Sequence, residues 1–307
     1  MDSSLLTISL LINKVICMNE ILNIFKNPVI DLDRLNKMDA ISDPESRYII
    51  AITPRSGSTY LCDMLRHTKH LGVPGEMLGP ASVVGNLKKM PGRTADEYIR
   101  NAIRVRKTPN GVSGLTVSWF QFQNFMEAMD DHSYLADFKY IYLTRRDLYA
   151  QAVSLYKATS SKVFHSNIQH NEETIRKFEA LEYDYAKIKY WYDHLVRQEK
   201  GWQQYFYENR IFPLYITYED IDEDIQAVLQ RIAAYVKVKP ENLVVPKRSL
   251  YEKVADNRNA EWARRFAWEH SFQETDRVSA PLSNGLVYKR NYQMRLRNLC
   301  QKVKNFW

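Results

Sequence analysis

The sequence predicts an α/β protein in which helices cover both faces of a parallel sheet, and three observations support this prediction. Four apolar runs of strand length recur along the chain. Stretches with apolar residues at every third or fourth position lie between them. A polar loop rich in hydroxyl groups follows the first apolar run. Strands that alternate with helices form parallel sheets because each crossover helix packs on a sheet face.

Each predicted element follows from its local pattern. The predicted strands are Tyr48–Ile52, Gly114–Trp119, Tyr140–Leu143 and Pro213–Thr217. The predicted helices are 59–67, 120–129, 149–158, 172–207 and 221–236. The segment 171–210 has the length of one long helix or a helical hairpin, so we expect a helix-rich insert beside the sheet. The domain prediction is an N-terminal extension over 1–45, a central domain over 46–270 and a basic C-terminal extension over 271–307.

Composition excludes several classes of protein. Among the 307 residues, Cys17, Cys62 and Cys300 lie far apart, which argues against a disulfide scaffold or a zinc site and favours a reducing compartment. Nowhere do about 18 apolar residues follow one another, the length that a membrane-spanning helix needs. The apolar run from Leu5 to Ile12 has its first cation behind it rather than in front, so we do not expect a signal peptide.

The formal charge of +7 is concentrated at the C-terminal end. The seven cations after Asp276 equal the whole excess, and no acid accompanies them. Because the rest of the chain is balanced and carries no nucleic-acid-binding motif, we expect no nucleic-acid partner. In the tail, Tyr292, Leu296, Leu299 and Val303 form a helical stripe among cations. This helix either contacts an anionic membrane surface or packs on the protein and exposes its cations.

The first predicted strand ends in the loop "PRSGSTY". A loop from a strand into a helix presents free backbone N–H groups at the positive end of the helix dipole. Gly57 permits close backbone approach, Ser56, Ser58 and Thr59 supply hydroxyl donors, and Arg55 supplies a planar cation. The pattern therefore predicts a phosphate or sulfate site, with an ordinary serine-capped turn as the alternative. No lysine stands where a Walker A motif needs one.

A second pair of residues follows the third strand, in "YIYLTRRDLYAQAVSLYKA". Arg146 stands at the strand end, and Ser154 lies eight residues later, about two turns into the next helix. A guanidinium and a hydroxyl so placed can converge on a second phosphate. The alternative is that Arg146 is a surface ion-pair partner and Ser154 an ordinary polar helix residue.

Several segments together resemble a known family. "TPRSGSTYLCDML", "LGVPGEM", "LTRRDLYAQAVSLYKA", "KVFHS", "ITYEDI" and "VADNRNAEWARRF" occur in this order between Tyr48 and Phe266. They resemble the bacterial trehalose 2-sulfotransferase family, which also includes predicted lipopolysaccharide sulfotransferases. The resemblance implies a P-loop NTPase-like fold with 3'-phosphoadenosine 5'-phosphosulfate (PAPS) as donor. It also implies that Arg55–Thr59 hold the 5'-phosphosulfate and that Arg146 and Ser154 hold the 3'-phosphate.

The resemblance also implies a catalytic base, because the family's G-x-P-x-E pattern places Glu76 where an acid accepts the proton of the sugar hydroxyl. Gly75 and Met77 depart from the acidic and aromatic residues expected there, so acceptor identity stays open. Histidines are rival bases. His165 is predicted to contact the acceptor, whereas we expect the histidines at 67 and 70 to be plain helix-end residues.

The functional hypothesis is sulfuryl transfer from PAPS to a hydroxyl of a trehalose-like sugar, a glycolipid or lipopolysaccharide. Arg55 and the loop N–H groups would stabilise the leaving oxygens, Glu76 would act as the base, and no metal is needed. The resemblance further implies a homodimer in the cytoplasm, or at the inner face of the membrane. Tyrosines and tryptophans of the insert either stack on sugars or pack internally. The alternatives are a nucleotide-dependent kinase of related fold and a noncatalytic nucleotide- or glycan-binding protein.

Overall fold

The structure is a computed structural model that describes residues 20–164, 171–239, 243 and 257–278. The strands are β1 (Ser46–Ile52), β2 (Val112–Ser118), β3 (Lys139–Thr144) and β4 (Leu214–Thr217). From Leu32 to β3, the helices are α1 (Leu32–Asp39), α2 (Ser58–His67), α3 (Pro80–Leu87), α4 (Ala95–Val105), α5 (Trp119–Met126) and α6 (Ser133–Ala136). The later helices are α7 (Leu148–Ser161), α8 (Glu172–Glu179), α9 (Tyr185–Glu208), α10 (Tyr218–Glu223), α11 (Ile225–Tyr235) and α12 (Asn257–Val278).

The four strands form one sheet in the order β2-β1-β3-β4, and every neighbouring pair is parallel. The register pairs Ile52 with both Ser118 and Leu143, and Thr144 with Thr217, so all four strands end at one edge. The chain leaves β1 for β2 on one side and later returns to β3 on the other. In open α/β sheets, ligands bind at the carboxyl edge where the strand order reverses, which here lies beside β1.

Two apolar clusters cover the two faces of the sheet. Ile49 and Ala51 point into one cluster, whereas Tyr48, Ile50 and Ile52 point into the other, as alternation along a strand requires. In the first cluster, the indole N–H of Trp202 donates to the carbonyl of Ile52 at 3.0 Å, which fixes α9 against the end of β1. The predicted parallel α/β sheet with helices on both faces is confirmed.

The predicted strands match the observed ones within about two residues at each end. Two predicted helices are each two helices in the structure. The 172–207 prediction divides between α8 and α9, and Asp184 caps α9 by accepting from the N–H of Lys187. The 221–236 prediction becomes α10 and α11, where Asp224 caps α11 by accepting from the N–H of Ala227. An aspartate cap starts a new helix because its carboxylate satisfies an otherwise free N–H group.

The chain divides into two compact units, Met1–Ala263 and Arg264–Trp307. The predicted basic helix of the C-terminal tail lies outside the described residues, and so does His165. In the part of the chain that the structure describes, no helix is long and apolar enough to cross a membrane.

Candidate active site at the carboxyl edge of the sheet

The loop between β1 and α2 has the geometry that the sequence predicts for an anion site. Gly57 is the N-cap of α2 in the left-handed conformation, with φ of 85°, and no side chain caps the helix. A Cβ at this position would lie 2.9 Å from the ring of Tyr218, so only glycine fits without strain. The N–H groups of Ser58 and Thr59 therefore belong to an uncapped first turn, where the helix dipole favours a negative charge.

Ser56 adds a hydroxyl to the same loop. The residue is fully buried, and its Oγ has no hydrogen-bond partner among the described residues. An unsatisfied buried hydroxyl costs roughly 1–3 kcal/mol, which a bound acceptor oxygen would recover. Ser58 is also buried, while Thr59 is half-buried.

Arg55 is placed by the loop backbone and by two hydrogen bonds. Its φ of 67° is an uncommon value for a residue with a side chain. The Nε donates to Ser154 Oγ at 3.1 Å, and Nη1 donates to the carbonyl of Phe164 at 2.7 Å. The structure therefore brings Ser154 on α7 next to the β1–α2 loop.

Arg145 is a second cation at this site, and it is not among the site residues predicted from the sequence. Its guanidinium lies 4.5 Å from the ring centroid of Tyr218, and its buried Nε has no hydrogen-bond partner among the described residues. Burial, and then the positive charge of Arg145, lower the pKa of Arg55 below its ordinary value. Neither guanidinium has an acidic partner in the described part of the chain, so a bound anion would relieve their mutual repulsion.

Arg146 makes other contacts. Its guanidinium donates to Asp220 at 2.7 Å, and its backbone N–H donates to the carboxylate of Glu219. The predicted convergence of Arg146 with Ser154 is therefore not seen, because Ser154 bonds to Arg55 instead. Both arginines follow the end of β3, and they make separate contacts: Arg145 lies over the ring of Tyr218, whereas Arg146 pairs with Asp220.

Glu76 lies beside β2 through a short parallel bridge to Thr116. The residue is exposed, yet the protein packed around its carboxyl raises the pKa above the ordinary value, and a hydrogen bond from Gln121 lowers it in part. The amide oxygen of Gln121 accepts from the backbone and hydroxyl of Ser118 at 3.3 and 3.0 Å. Its NH₂ group is thereby directed to Glu76.

A cavity of about 290 Å³ extends from the first turn of α2 to Glu76. The other lining residues come from α2, the loop before Glu76, the end of α4 and β2. They are Ser58, Thr59, Cys62, Asp63, Arg66, Val73, Pro74, Gly75, Arg106 and Thr116. The cavity thus joins the predicted donor loop to the predicted base. Burial raises the pKa of Cys62 to about 12, so its thiol stays protonated and unreactive near neutral pH.

The aromatic residues of the insert make intramolecular contacts. Tyr192 stacks on Tyr149 with 5.3 Å between ring centroids, and Tyr183 meets Trp262 edge-on at 6.1 Å. These contacts agree with internal packing for two of the rings considered for sugar stacking.

His67 bonds through Nδ1 to the carbonyl of Asp63, as expected of a helix-end residue. In the described ranges, no group of three or more acidic, histidine or cysteine residues could hold a metal ion.

The parallel sheet, with a cationic loop and the uncapped N-terminus of α2 at its carboxyl edge, defines an α/β protein with a candidate anion site. The Stf0 sulphotransferase family matches residues 47–269, and the chain belongs to this family. The match confirms the predicted sulfotransferase family, the enzyme class and PAPS as co-substrate. It does not favour the kinase or the noncatalytic alternative.

Two curated relatives carry the name trehalose 2-sulfotransferase. The protein of Mycolicibacterium smegmatis is 26% identical over 272 residues, which is 74% of this chain and 96% of the relative. The protein of Mycobacterium tuberculosis is 24% identical over 263 residues, which is 72% of this chain and 94% of the relative.

Solved structures are more distant. Mouse sulfotransferase SULT7A1 complexed with PAP is 16% identical, with a TM-score of 0.34, and the match covers 84% of this chain and 77% of the mouse chain. Retinol dehydratase, in complex with androsterone and inactive cofactor PAP, is 12% identical, with a TM-score of 0.37. The match covers 84% of this chain and 88% of the retinol dehydratase chain.

Proposed function

We propose that this enzyme transfers the sulfuryl group of PAPS to a carbohydrate hydroxyl, with the donor held at the β1–α2 loop. The uncapped α2 terminus carries this proposal, together with the buried hydroxyl of Ser56, which has no hydrogen-bond partner within the described ranges. Arg55, Ser56, Gly57, Ser58 and Thr59 would bind the 5'-phosphosulfate through N–H, hydroxyl and guanidinium donors. Such preorganised donors stabilise the charge that grows on the leaving phosphate oxygen.

The 3'-phosphate would lie on the side of the loop that faces β3 and α7. Ser154 supports this placement because it contacts Arg55. Arg145 supplies a guanidinium beside the same loop that has no acidic partner among the described residues. Arg146 joins the site only if its ion pair with Asp220 opens. We therefore propose Arg145, with Ser154, as the principal contacts of this phosphate and Arg146 as a secondary one.

Glu76 is the proposed base. The acceptor oxygen would attack sulfur in line while the sulfur–oxygen bond to the 5'-phosphate breaks and PAP leaves with the electron pair. The hydroxyl proton would pass to the carboxylate of Glu76. A pKa raised by the surrounding protein suits this role, because it brings the proton affinity of the carboxylate closer to working pH.

The acceptor is proposed from the relatives, which are named for trehalose, and a trehalose-like sugar, a glycolipid or lipopolysaccharide would each supply the hydroxyl. His165 is proposed to contact it. The family resemblance suggests a cytoplasmic homodimer with a sulfotransferase domain over 46–270. The basic stripe of the tail suggests contact with an anionic membrane surface.

The function is tested by titrating PAP into the purified protein by calorimetry, without added metal, and by following PAPS-dependent sulfation of trehalose and a glycolipid extract by mass spectrometry. We expect saturable PAP binding and a sulfated sugar or lipid. Folded protein that neither binds PAP nor sulfates a carbohydrate would contradict the proposal.

The two neighbouring arginines provide a matched pair of variants. We expect Arg145→Ala to weaken PAP binding about tenfold or more, since a hydrogen bond to a charged group contributes about 1.5–3 kcal/mol. Arg146→Ala is expected to weaken it less, because this guanidinium already pairs with Asp220. The measurement is the dissociation constant of PAP by calorimetry. A larger loss in Arg146→Ala would assign the phosphate to Arg146 instead.

A further inference from the structure

Arg106 places a positive charge in the cavity next to the proposed base. It stands directly after α4, and its carbonyl accepts from the N–H of Val73 at 3.0 Å, which ties this helix end to the loop that carries Glu76. The side chain is half-buried and lines the cavity. Its Nε is buried without a hydrogen-bond partner among the described residues.

The acidic side chains that line the same cavity interact with other groups. The carboxylate of Asp63 pairs with Arg66 and lies 3.4 Å from the ring of His67. Glu76 accepts from Gln121. No ion pair involves Arg106 within the described ranges, and the nearby charge of Arg66 is of the same sign. A partly buried guanidinium without a counter-charge is costly, so a bound anion would stabilise it.

Gly75 leaves the space next to this guanidinium without a side chain. A Cβ built at Gly75 would lie 2.6 Å from Nη2 of Arg106, so any larger residue here would contact the cation. An acidic residue at this position would supply the missing counter-charge from within the chain. With glycine, that position is available to a ligand.

We propose that the acceptor is an acidic carbohydrate whose carboxylate or phosphate binds Arg106 while its reacting hydroxyl faces Glu76. This inference rests on the proposed function, because it assigns the cavity to the acceptor. A guanidinium suits carboxylate and phosphate equally, since its planar donors match two oxygens of either group. The cavity, about 290 Å³, is near the lower end of ligand-pocket volumes.

The test compares acidic and neutral sugars on protein saturated with PAP. The matched probes are glucuronic acid against glucose and trehalose 6-phosphate against trehalose, titrated by calorimetry at constant ionic strength, with inorganic phosphate as a further probe. We expect at least one acidic sugar to bind about tenfold or more tightly than its neutral partner and than phosphate alone. The first pair tests a carboxylate and the second a phosphate.

Three variants test whether Arg106 causes the preference for acidic sugars. Arg106→Gln should remove it while the affinity for PAP stays within about twofold, and Gly75→Glu should remove it by supplying an internal carboxylate. Arg93→Gln changes an exposed arginine that pairs with Glu97 and should keep the preference. The inference is overturned if neither acidic sugar binds better than its neutral partner and phosphate, or if the preference survives in Arg106→Gln. Absence of PAP binding to the wild type would remove the proposed function as well.

Discussion

Arg55→Ala is expected to weaken PAP binding about 100-fold and to lower the rate of sulfuryl transfer about 10²- to 10³-fold. The guanidinium would make charge-assisted hydrogen bonds to the donor, and such bonds contribute about 1.5–3 kcal/mol each. It would also stabilise the charge that develops on the leaving oxygen, and removal of one such donor costs about 10²–10³ in turnover. Calorimetry with PAP and initial rates with PAPS measure the two effects separately.

The folded protein without donor should tolerate the loss of Arg55. Burial and the charge of Arg145 lower its pKa, so the ionised side chain is less stable in the folded chain than in water. Its removal should therefore leave the thermal unfolding temperature unchanged or raise it, which separates a binding role from a structural one. Arg55→Lys keeps the charge but loses the Nε contact with Ser154, and we expect intermediate affinity. Unchanged PAP affinity in Arg55→Ala would refute the assigned role.

The sequence was sufficient to predict this loop because the signal is local. An apolar strand, a glycine and a run of hydroxyl residues before a helical pattern specify where the chain turns and which groups it presents. The buried Ser56 and the left-handed Gly57 agree with that prediction. The α/β class followed from the same alternation of strands and helices, because parallel sheets require a crossover between neighbouring strands.

The sequence could not distinguish between adjacent arginines. "TRRD" offers Arg145 and Arg146 with the same chemistry, and the prediction of Arg146 depended on its eight-residue spacing to Ser154 and on the family resemblance. Which arginine faces the site depends on Tyr218 and Asp220, which follow β4 in the sequence. They contact the arginines because β4 pairs with β3 in the sheet. The position of Arg145 directly before Arg146 was the signal in the sequence that could have indicated a second cation at the site.

The close approach of Arg106 to Gly75 was likewise not predictable from the sequence. Thirty residues lie between them in the sequence, and their approach depends on where α4 ends against the loop before Glu76. A missing acid at position 75 was visible in the sequence as a departure from the family. Its consequence for Arg106 was not visible, because helix periodicity does not specify what the residue that follows a helix contacts.

Glu76→Gln is expected to lower the rate of sulfuryl transfer about 10²- to 10⁴-fold, the usual contribution of a positioned base. PAP affinity should change little, since the donor loop is intact. In the wild type, kcat/KM should rise with pH as the carboxyl ionises, with a midpoint above the ordinary glutamate value of 4.5 because the folded protein raises this pKa. In Glu76→Gln this rise should be absent. Initial rates across pH at saturating PAPS measure both effects.

Gln121→Met provides the control for this assignment. The amide of Gln121 lowers the pKa of Glu76 by donating to the carboxylate, so its removal should move the midpoint of the pH profile upward. A structural defect would lower the rate at every pH without moving the midpoint. Retention of the same pH dependence in Glu76→Gln would instead exclude Glu76 and leave His165 as the next candidate base. The direction of the shift therefore distinguishes a carboxylate that accepts the proton from one that only lines the cavity.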